Sequence, residues 1–450
     1  MAPPSGKRVW KAPFTISKME VKDVRFPTSK GKHGSDAMHK DPDYSAAYVV
    51  LHAEGTELKG HGFTFTLGQG TDIVTTAVRG LEQFVVGRRL EDIYNAFGAY
   101  WRELTSHSQL RWIGPEKGVI HLATAAVINA LWDFWAKIEG KPVWELLSCM
   151  SPEEIVSLID FRYLTDTITP EEAVELLRSK WSDEEARKKR IEELKTTGFP
   201  AYTTSAGWMG YSDETIKERC LEALKAGFTR FKVKVGQNVE DDRRRCAAIR
   251  DIIGYDKPLM TDANQVWDVK EAITHMAQLA EYKPLFIEEP TSPDDIHAHL
   301  TIRKALSAYG IKVATGEQCC NRVMFKQFLE ARAFDVCQID SCRIGGVNEI
   351  LSVILMAGKF GVPVCPHAGG VGLCELVQHL AMFDFVAVSG TLENRFIEFV
   401  DHLHEHFLDP VNITNGHYIA PTLPGYSAEM KPQSLDDYEY GKGCMWTTQQ

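Results

Sequence analysis

The sequence predicts an α/β chain built on a (β/α)8-type barrel, with an α+β portion ahead of it. From about residue 200, short strand-like runs alternate with helical stretches, the pattern of βα units feeding a parallel sheet. Eight candidate strands can be read, at 200–205, 230–235, 258–262, 285–289, 313–317, 336–340, 364–367 and 396–399. At or next to the end of seven of them stands a polar or ionisable residue: Lys234, Asp262, Glu288, Glu317, Asp340, His367 and Glu398, spaced 23 to 31 residues apart. Barrel active sites are assembled at the C-terminal ends of the strands, so these side chains are expected to converge on one mouth.

The first third reads differently. Residues 14–26 alternate in the manner of a strand, 46–53 form a more apolar one, and 61–67 a third. Between the first two lies a polar loop, 27–40, holding Gly31, Gly34, His33 and His39. After a Gly-rich turn, Thr71 or Asp72 is placed to cap a helix running through 74–81. Residues 123–138, rich in Ala, Trp and Leu, predict a buried helix. Residues 182–195 (SDEEARKKRIEELK) predict a solvated one rather than a binding patch. The expected organisation is an α+β unit at 1–150, an inserted helical segment at 151–199, the barrel at 200–400 and a C-terminal segment at 401–450.

Charge and composition exclude several functions. Fifty Lys and Arg against 61 Asp and Glu give a net charge of −11, the wrong sign for a general nucleic-acid binder. No run approaches the roughly 18 unbroken apolar residues of a membrane-spanning helix, so neither nucleic acid nor membrane is an expected partner. The ten cysteines are scattered, without a CxxC pair or the density of a disulfide scaffold, which predicts free thiols in a reducing cytoplasm. Lys7, Arg8, Lys11 and Lys18 precede the first acid, Glu20, and leave mitochondrial import as the alternative.

The strand-end residues suggest a reaction. Asp262, Glu288 and Glu317 in one mouth would repel one another unless a cation sat between them, and hard oxygen ligands favour Mg²⁺ or Mn²⁺. Lys232 and Lys234 share one strand face, and two adjacent cations lower each other's pKa, which suits a lysine base. Asp340 and His367 end consecutive strands, a placement suited to a carboxylate that orients an imidazole. Glu398 could bond a substrate carboxylate if it were protonated. A cation flanked by a lysine and a His–Asp pair is built to take a proton from the carbon next to a carboxylate.

The motifs FKVKVG (231–236), TDANQVW (261–267), IEEPTSPDD (287–295), ATGEQC (314–319), QIDSCRIGGVNE (338–349), CPHAGGVGLCE (365–375) and IEFVDHLHEHF (397–407) resemble the mandelate-racemase subgroup of the enolase superfamily, in its L-fuconate dehydratase branch. The resemblance extends to DVRFPTS (23–29), DPDYSAAYVV (41–50), QLRWIGPEKGV (109–119) and YTTSAGW (202–208). It implies a modified (β/α)7β barrel under an α+β N-terminal capping domain, to which the C-terminal segment returns, and a homo-oligomer. It further implies that Asp262, Glu288 and Glu317 hold Mg²⁺, that Lys234 removes the C2 proton of a sugar acid, and that His367, paired with Asp340, protonates the departing C3 hydroxyl. Lys232, Asn264 and Glu398 would contact the substrate, and so would His33, from the 27–40 loop that matches the family's capping loop. The product would be a 2-keto-3-deoxy acid.

Segment 151–199 is extra relative to a minimal member of the subgroup and bears on the substrate more than the chemistry. Rival readings are dehydration of L-galactonate or another aldonic acid, and a racemase or epimerase with Lys234 and His367 as opposed bases. A non-catalytic family member is a further rival, opposed by the intact set of ionisable residues.

Overall fold

The computed structural model describes residues 14–447; Lys7, Arg8 and Lys11 lie outside the described residues. Three antiparallel strands open the chain, β1 (Ile16–Arg25), β2 (Ser45–Ala53) and β3 (Lys59–Thr66), in the order β1-β2-β3. The helix Thr71–Gly80 follows, but neither candidate caps it. Gly70 holds the N-cap at φ 84°, and the Thr71 hydroxyl donates instead to the Gly68 carbonyl at 2.7 Å.

The helix Gly118–Glu139 packs across this sheet, apolar on nearly every face and buried through its middle. Among the described residues it is the one helix whose length and composition would suffice to cross a membrane. Its burial makes it a core helix. The sheet approaches it closely because two glycines stand at the contact. A Cβ at Gly62 would lie 2.2 Å from the Ala130 nitrogen, and one at Gly60 2.4 Å from the Ala130 carbonyl oxygen.

The barrel strands are β4 (Phe199–Thr203), β5 (Phe231–Lys234), β6 (Leu259–Asp262), β7 (Pro284–Glu288), β8 (Lys312–Thr315), β9 (Val336–Cys337) and β10 (Ile397–Phe399), each parallel to its neighbours in the ring. The expected strand at 364–367 is reduced to a parallel bridge, Cys337 to Val364. It still closes the ring, since His367 N donates to Ile339 O and Glu398 N to Pro366 O. Seven helices separate the eight strand positions, the last being Leu373–Phe383, and among the described residues no helix packs back on the barrel directly after β10. This is the (β/α)7β pattern.

The strands are filled from below by one apolar layer, with Tyr202, Met260, Phe286, Ala314, Val336, Cys365 and Phe396 each from a different strand position. Two residues further along β6 and β7, the same inward alternation presents Asp262 and Glu288, which are partners in register, as are Lys234 and Asp262.

The charged segment forms the helix Glu184–Thr196, capped by Asp183 and largely exposed. Beyond β10 the chain returns to the N-terminal sheet: Tyr440 N donates to Asp23 O at 2.8 Å, and Met430 N to the Tyr48 hydroxyl at 2.9 Å. All ten cysteines are free.

The capping unit is fastened to the loop that follows β9 and to the first turn of the helix after it, Val347–Phe360. Trp101 Nε1 donates to Gly345 O (2.7 Å), Asn129 Nδ2 to Ser341 O (3.0 Å) and Trp132 Nε1 to Asn348 Oδ1 (2.8 Å). At the centre sits the fully buried Glu349 carboxylate, which takes bonds from His121 Nε2 (2.6 Å), Gly345 N (2.6 Å) and Arg322 N (2.8 Å). Burial pushes this carboxyl up, but the His121 and Arg322 charges outweigh it and lower its pKa from 4.5 to about 2.

Two outcomes follow. Gly62→Ala should lower the melting temperature by several degrees, because the new methyl must separate helix from sheet; an unchanged melt would contradict the close approach. Glu349 contributes stability above its unfolded pKa, of order 3 kcal/mol, which is lost as the pH falls from 4.5 towards 2. In urea titrations, Glu349→Gln should therefore be less stable than the parent at pH 7, with the gap narrowing below pH 4.5.

Candidate active site

The strand-end residues meet as expected at the barrel mouth, though not all at strand ends. Lys234, Asp262 and Glu288 finish β5, β6 and β7, while Glu317, Asp340 and His367 lie two to three residues beyond β8, β9 and the Val364 bridge. One carboxylate oxygen each from Asp262, Glu288 and Glu317 lies within 4.8 Å of the others.

Two lysines hold this acidic cluster together. Lys232 Nζ, fully buried, contacts Glu288 Oε2 (2.8 Å), Asp262 Oδ2 (3.2 Å) and Glu398 Oε1 (2.8 Å). Lys234 Nζ donates to Asp262 Oδ2 (2.6 Å) and Asn264 Oδ1 (3.0 Å). Even so, Glu288 Oε1 and Glu317 Oε2 are buried without a hydrogen-bond partner. Two orphaned carboxylate oxygens beside Asp262 form a donor set of hard oxygens that suits a divalent cation.

The lysine pair does not behave as the sequence led one to expect. Burial and Lys232 both press the Lys234 pKa down, but the Asp262 charge outweighs them and raises it. Glu398 also departs from expectation. Burial pushes it up, yet Lys232, His367 and Lys234 hold it well below the usual carboxylate range, so it is ionised. Burial and the Asp262 charge drive Glu288 upward.

Across the ring, His367 Nδ1 lies 2.8 Å from Asp340 Oδ2. The other Asp340 oxygen accepts from Cys342 N (2.7 Å) and Arg343 N (2.8 Å), which fixes the carboxylate. His367 Nε2 lies 3.5 Å from Glu317 Oε2 and 3.9 Å from Glu398 Oε2. Burial lowers the ring's pKa, but Glu317, Asp340 and Glu398 raise it to about 10.

Of these groups, Lys234, Asn264, Glu317, Asp340 and His367 line a cavity of about 430 Å³. The capping unit supplies an apolar wall, including Phe65, Leu67, Ile73, Val74, Val119 and Leu122. The 27–40 loop reaches the cavity through Gly34, Asp36 and His39. His33 is not on the lining. Its ring stacks on His402 with centroids 5.2 Å apart, at the seam between loop and barrel.

Sequence reading missed several neighbours. Thr204 donates to Glu398 Oε1, the Trp208 ring lies 5.4 Å from Lys234 Nζ, and Arg343 donates to Gln318 on the cavity wall. Glu289 is as buried as Glu288 and takes a bond from Gln265. Asn264 (φ 45°), Gln265 (φ 65°) and Glu289 (φ 43°) all occupy the left-handed region. Strained backbone of this kind collects at functional sites. Trp208, Gln265, Gln318 and Arg343 have no strand-end signal, whereas Glu289 closes the candidate strand 285–289 beside Glu288; Asp36 and His39 share an Asp-x-x-His spacing.

A capped barrel with a carboxylate site suited to a divalent cation defines a class of protein, and comparison with known proteins narrows it. The Enolase C-terminal domain-like family matches residues 215–434. The chain is 61% identical over 432 residues to mitochondrial enolase superfamily member 1 of Xenopus laevis, covering 96% of each chain. It is 58% identical over 439 residues to the L-galactonate dehydratase of Hypocrea jecorina, again 96% of each. The crystal structure of human mitochondrial enolase superfamily member 1 matches with a TM-score of 0.95 at 59% identity, covering 97% of this chain and 98% of that one. The chain belongs to the enolase superfamily, in its mandelate-racemase subgroup.

Cation binding can be checked without turnover. Metal-stripped protein should melt several degrees higher on addition of millimolar Mg²⁺, because a ligand bound only by the native state stabilises it. Glu317→Gln should abolish most of that rise; an equal rise in the variant would remove Glu317 from the site.

Proposed function

We propose that this chain dehydrates L-fuconate to the corresponding 2-keto-3-deoxy acid. At the level of reaction type it is an acid-sugar dehydratase, in keeping with its family and relatives. The observation that carries the reading is one cavity with a lysine and an imidazole–carboxylate pair on either side of three clustered carboxylates. Mg²⁺ is the cation proposed for Asp262, Glu288 and Glu317; when bound it would offset the Asp262 charge that keeps Lys234 protonated and favour negative charge on the substrate carboxylate.

The chain's own residues account for the remainder. Lys234 Nζ, oriented by Asn264, takes the C2 proton. Lys232 lies below the substrate carboxylate as a fixed positive charge, and the ionised Glu398, bonded to Thr204 and to Ala368 N, is anchored beside it. The C3–O bond breaks, and His367 Nε2 gives its proton to the departing hydroxyl, which leaves as water. The enol left behind takes a proton at C3 to become the keto acid. Asp340, bonded to Nδ1, stabilises the doubly protonated ring, so that Nε2 carries the proton to be given.

The apolar wall favours L-fuconate over more hydroxylated acids. L-fuconate ends in a methyl group, which is at home against Phe65, Ile73, Val74 and Leu122, whereas a terminal hydroxymethyl would lose water there without a partner. L-galactonate, which differs in having that hydroxymethyl, is the second reading, favoured by the 58% identical relative from Hypocrea jecorina. The free thiols fit a reducing compartment such as the cytoplasm; the closely related proteins named for mitochondria keep that alternative.

The test is keto-acid formation by purified protein with Mg²⁺ on a panel of aldonic acids. L-fuconate should be the fastest substrate, activity should vanish with EDTA, and Lys234→Ala should lose on the order of a thousandfold or more. His367→Asn should stop dehydration while still exchanging the C2 hydrogen with solvent deuterium. No keto acid from any acid would sink the proposal, and faster turnover of L-galactonate would move it to the second reading.

A further inference from the structure

Two imidazole–carboxylate pairs face the cavity, and only the barrel's pair is used above. The other lies on the 27–40 loop and repeats the same construction. His39 Nδ1 is 3.0 Å from Asp36 Oδ2, and the other Asp36 oxygen accepts from Met38 N (2.8 Å) and His39 N (2.6 Å). In the barrel pair, Asp340 likewise gives one oxygen to an imidazole Nδ1 and the other to two backbone amides. A carboxylate fixed in this way sets the ring's orientation and keeps a proton on Nδ1, leaving Nε2 for something else.

The loop is held firmly where it carries the pair. The buried Ser35 hydroxyl donates to Met209 O at 2.8 Å, and Met209 N donates back to Ser35 O at 3.1 Å, one residue from Trp208, whose ring faces Lys234. Asp36 is buried, whereas the His39 side chain is about one-third exposed and lines the cavity. Among the described residues nothing hydrogen-bonds its Nε2. His39 shares the lining of this cavity with Lys234, Glu317 and His367, and its other side borders an outer hollow lined by Ser29, Lys40 and Asp41.

We propose that His39 is a substrate-positioning residue: its Nε2 bonds a hydroxyl of the sugar-acid chain, and Asp36 holds the ring for that purpose. The inference rests on the dehydratase reading. An aldonic acid carries hydroxyls beyond C3 that the groups at the strand ends do not engage in that reading, and most of the opposite wall is apolar. A fixed polar atom on the loop supplies the partner such a hydroxyl needs on leaving water.

The test compares L-fuconate with its 4-deoxy and 5-deoxy analogues on the Mg²⁺-loaded wild-type protein, His39→Asn and Asp36→Asn. In His39→Asn, KM for L-fuconate should rise about tenfold to a hundredfold with kcat changed much less. The wild-type preference for L-fuconate over one of the two analogues should collapse in the same variant, since the group that read the missing hydroxyl is gone. Asp36→Asn should move both quantities in the same direction. Equal slowing of L-fuconate and both analogues would mean that His39 serves only the loop's structure and would overturn the inference, as would an unchanged KM. A wild-type protein that dehydrates no sugar acid would overturn the dehydratase reading and this inference together; wild-type turnover with indifferent His39 variants overturns the inference alone.

Discussion

Three carboxylates whose oxygens lie within 4.8 Å of one another, two of them fully buried, set the terms for the rest of this structure. Like charges this close, away from water, raise one another's pKa until something positive offsets them. Two lysines do so here. Lys232 stands one alternation step deeper on the same strand as Lys234 and touches Asp262, Glu288 and Glu398 together. Its Nζ lies 5.4 Å from the ring of Tyr202, a member of the apolar layer below, so its charge sits at the boundary between filled core and reactive mouth. Strand register makes the arrangement possible. Lys234, Asp262 and Glu288 are neighbours across β5, β6 and β7, so slipping any one strand by a residue would turn its charged group out of the mouth.

A floor of this kind needs a roof that excludes water. The N-terminal unit provides one that is mostly apolar, with the Asp36–His39 pair as its ionisable group at the cavity, and its attachment is as specific as the floor. Gly60 and Gly62 let the sheet settle on the helix Gly118–Glu139, and that helix bonds the loop after β9 through Asn129 and the first turn of the following helix, Val347–Phe360, through Trp132 and His121. The same loop begins at Asp340, which orients His367. The capping unit and the imidazole are therefore fixed to one short stretch of chain, with Glu349 bonded to both sides of the junction. Roof and floor are built as one body even though they are far apart in sequence.

How much of the site was legible depended on what each residue type announces. Asp262, Glu288, Glu317, Asp340, His367 and Glu398 stood out because ionisable residues recurring once per strand–helix unit have few structural explanations in a barrel. His33 and His39 could not be separated by type, since both sit in one glycine-bearing loop. The choice between them depends on which way the loop folds: His33 stacks on His402 at the seam, and His39 pairs with Asp36 beside the cavity. Of the residues of left-handed backbone, Asn264 is of a type that favours that region, whereas Gln265 and Glu289 carry no sequence signal of their conformation.

The alternation of βα units, the existence of the first three strands, the buried helix in the 120s and 130s and the identity of the acidic cluster were determined by sequence alone. Each is a local periodicity or a residue type that physical chemistry limits to few roles. Charge states were decided by the tertiary structure. Two lysines on one strand imply mutual lowering of pKa, but Lys234 is raised because Asp262 on the next strand is nearer in effect than Lys232 on its own. A buried glutamate at the end of the last strand suggests a neutral acid, but Glu398 is ionised because Lys232 and His367 converge on it from two other strands. Electrostatic energy depends on distances between groups that the chain brings together from far apart, and those distances exist only once the barrel has closed.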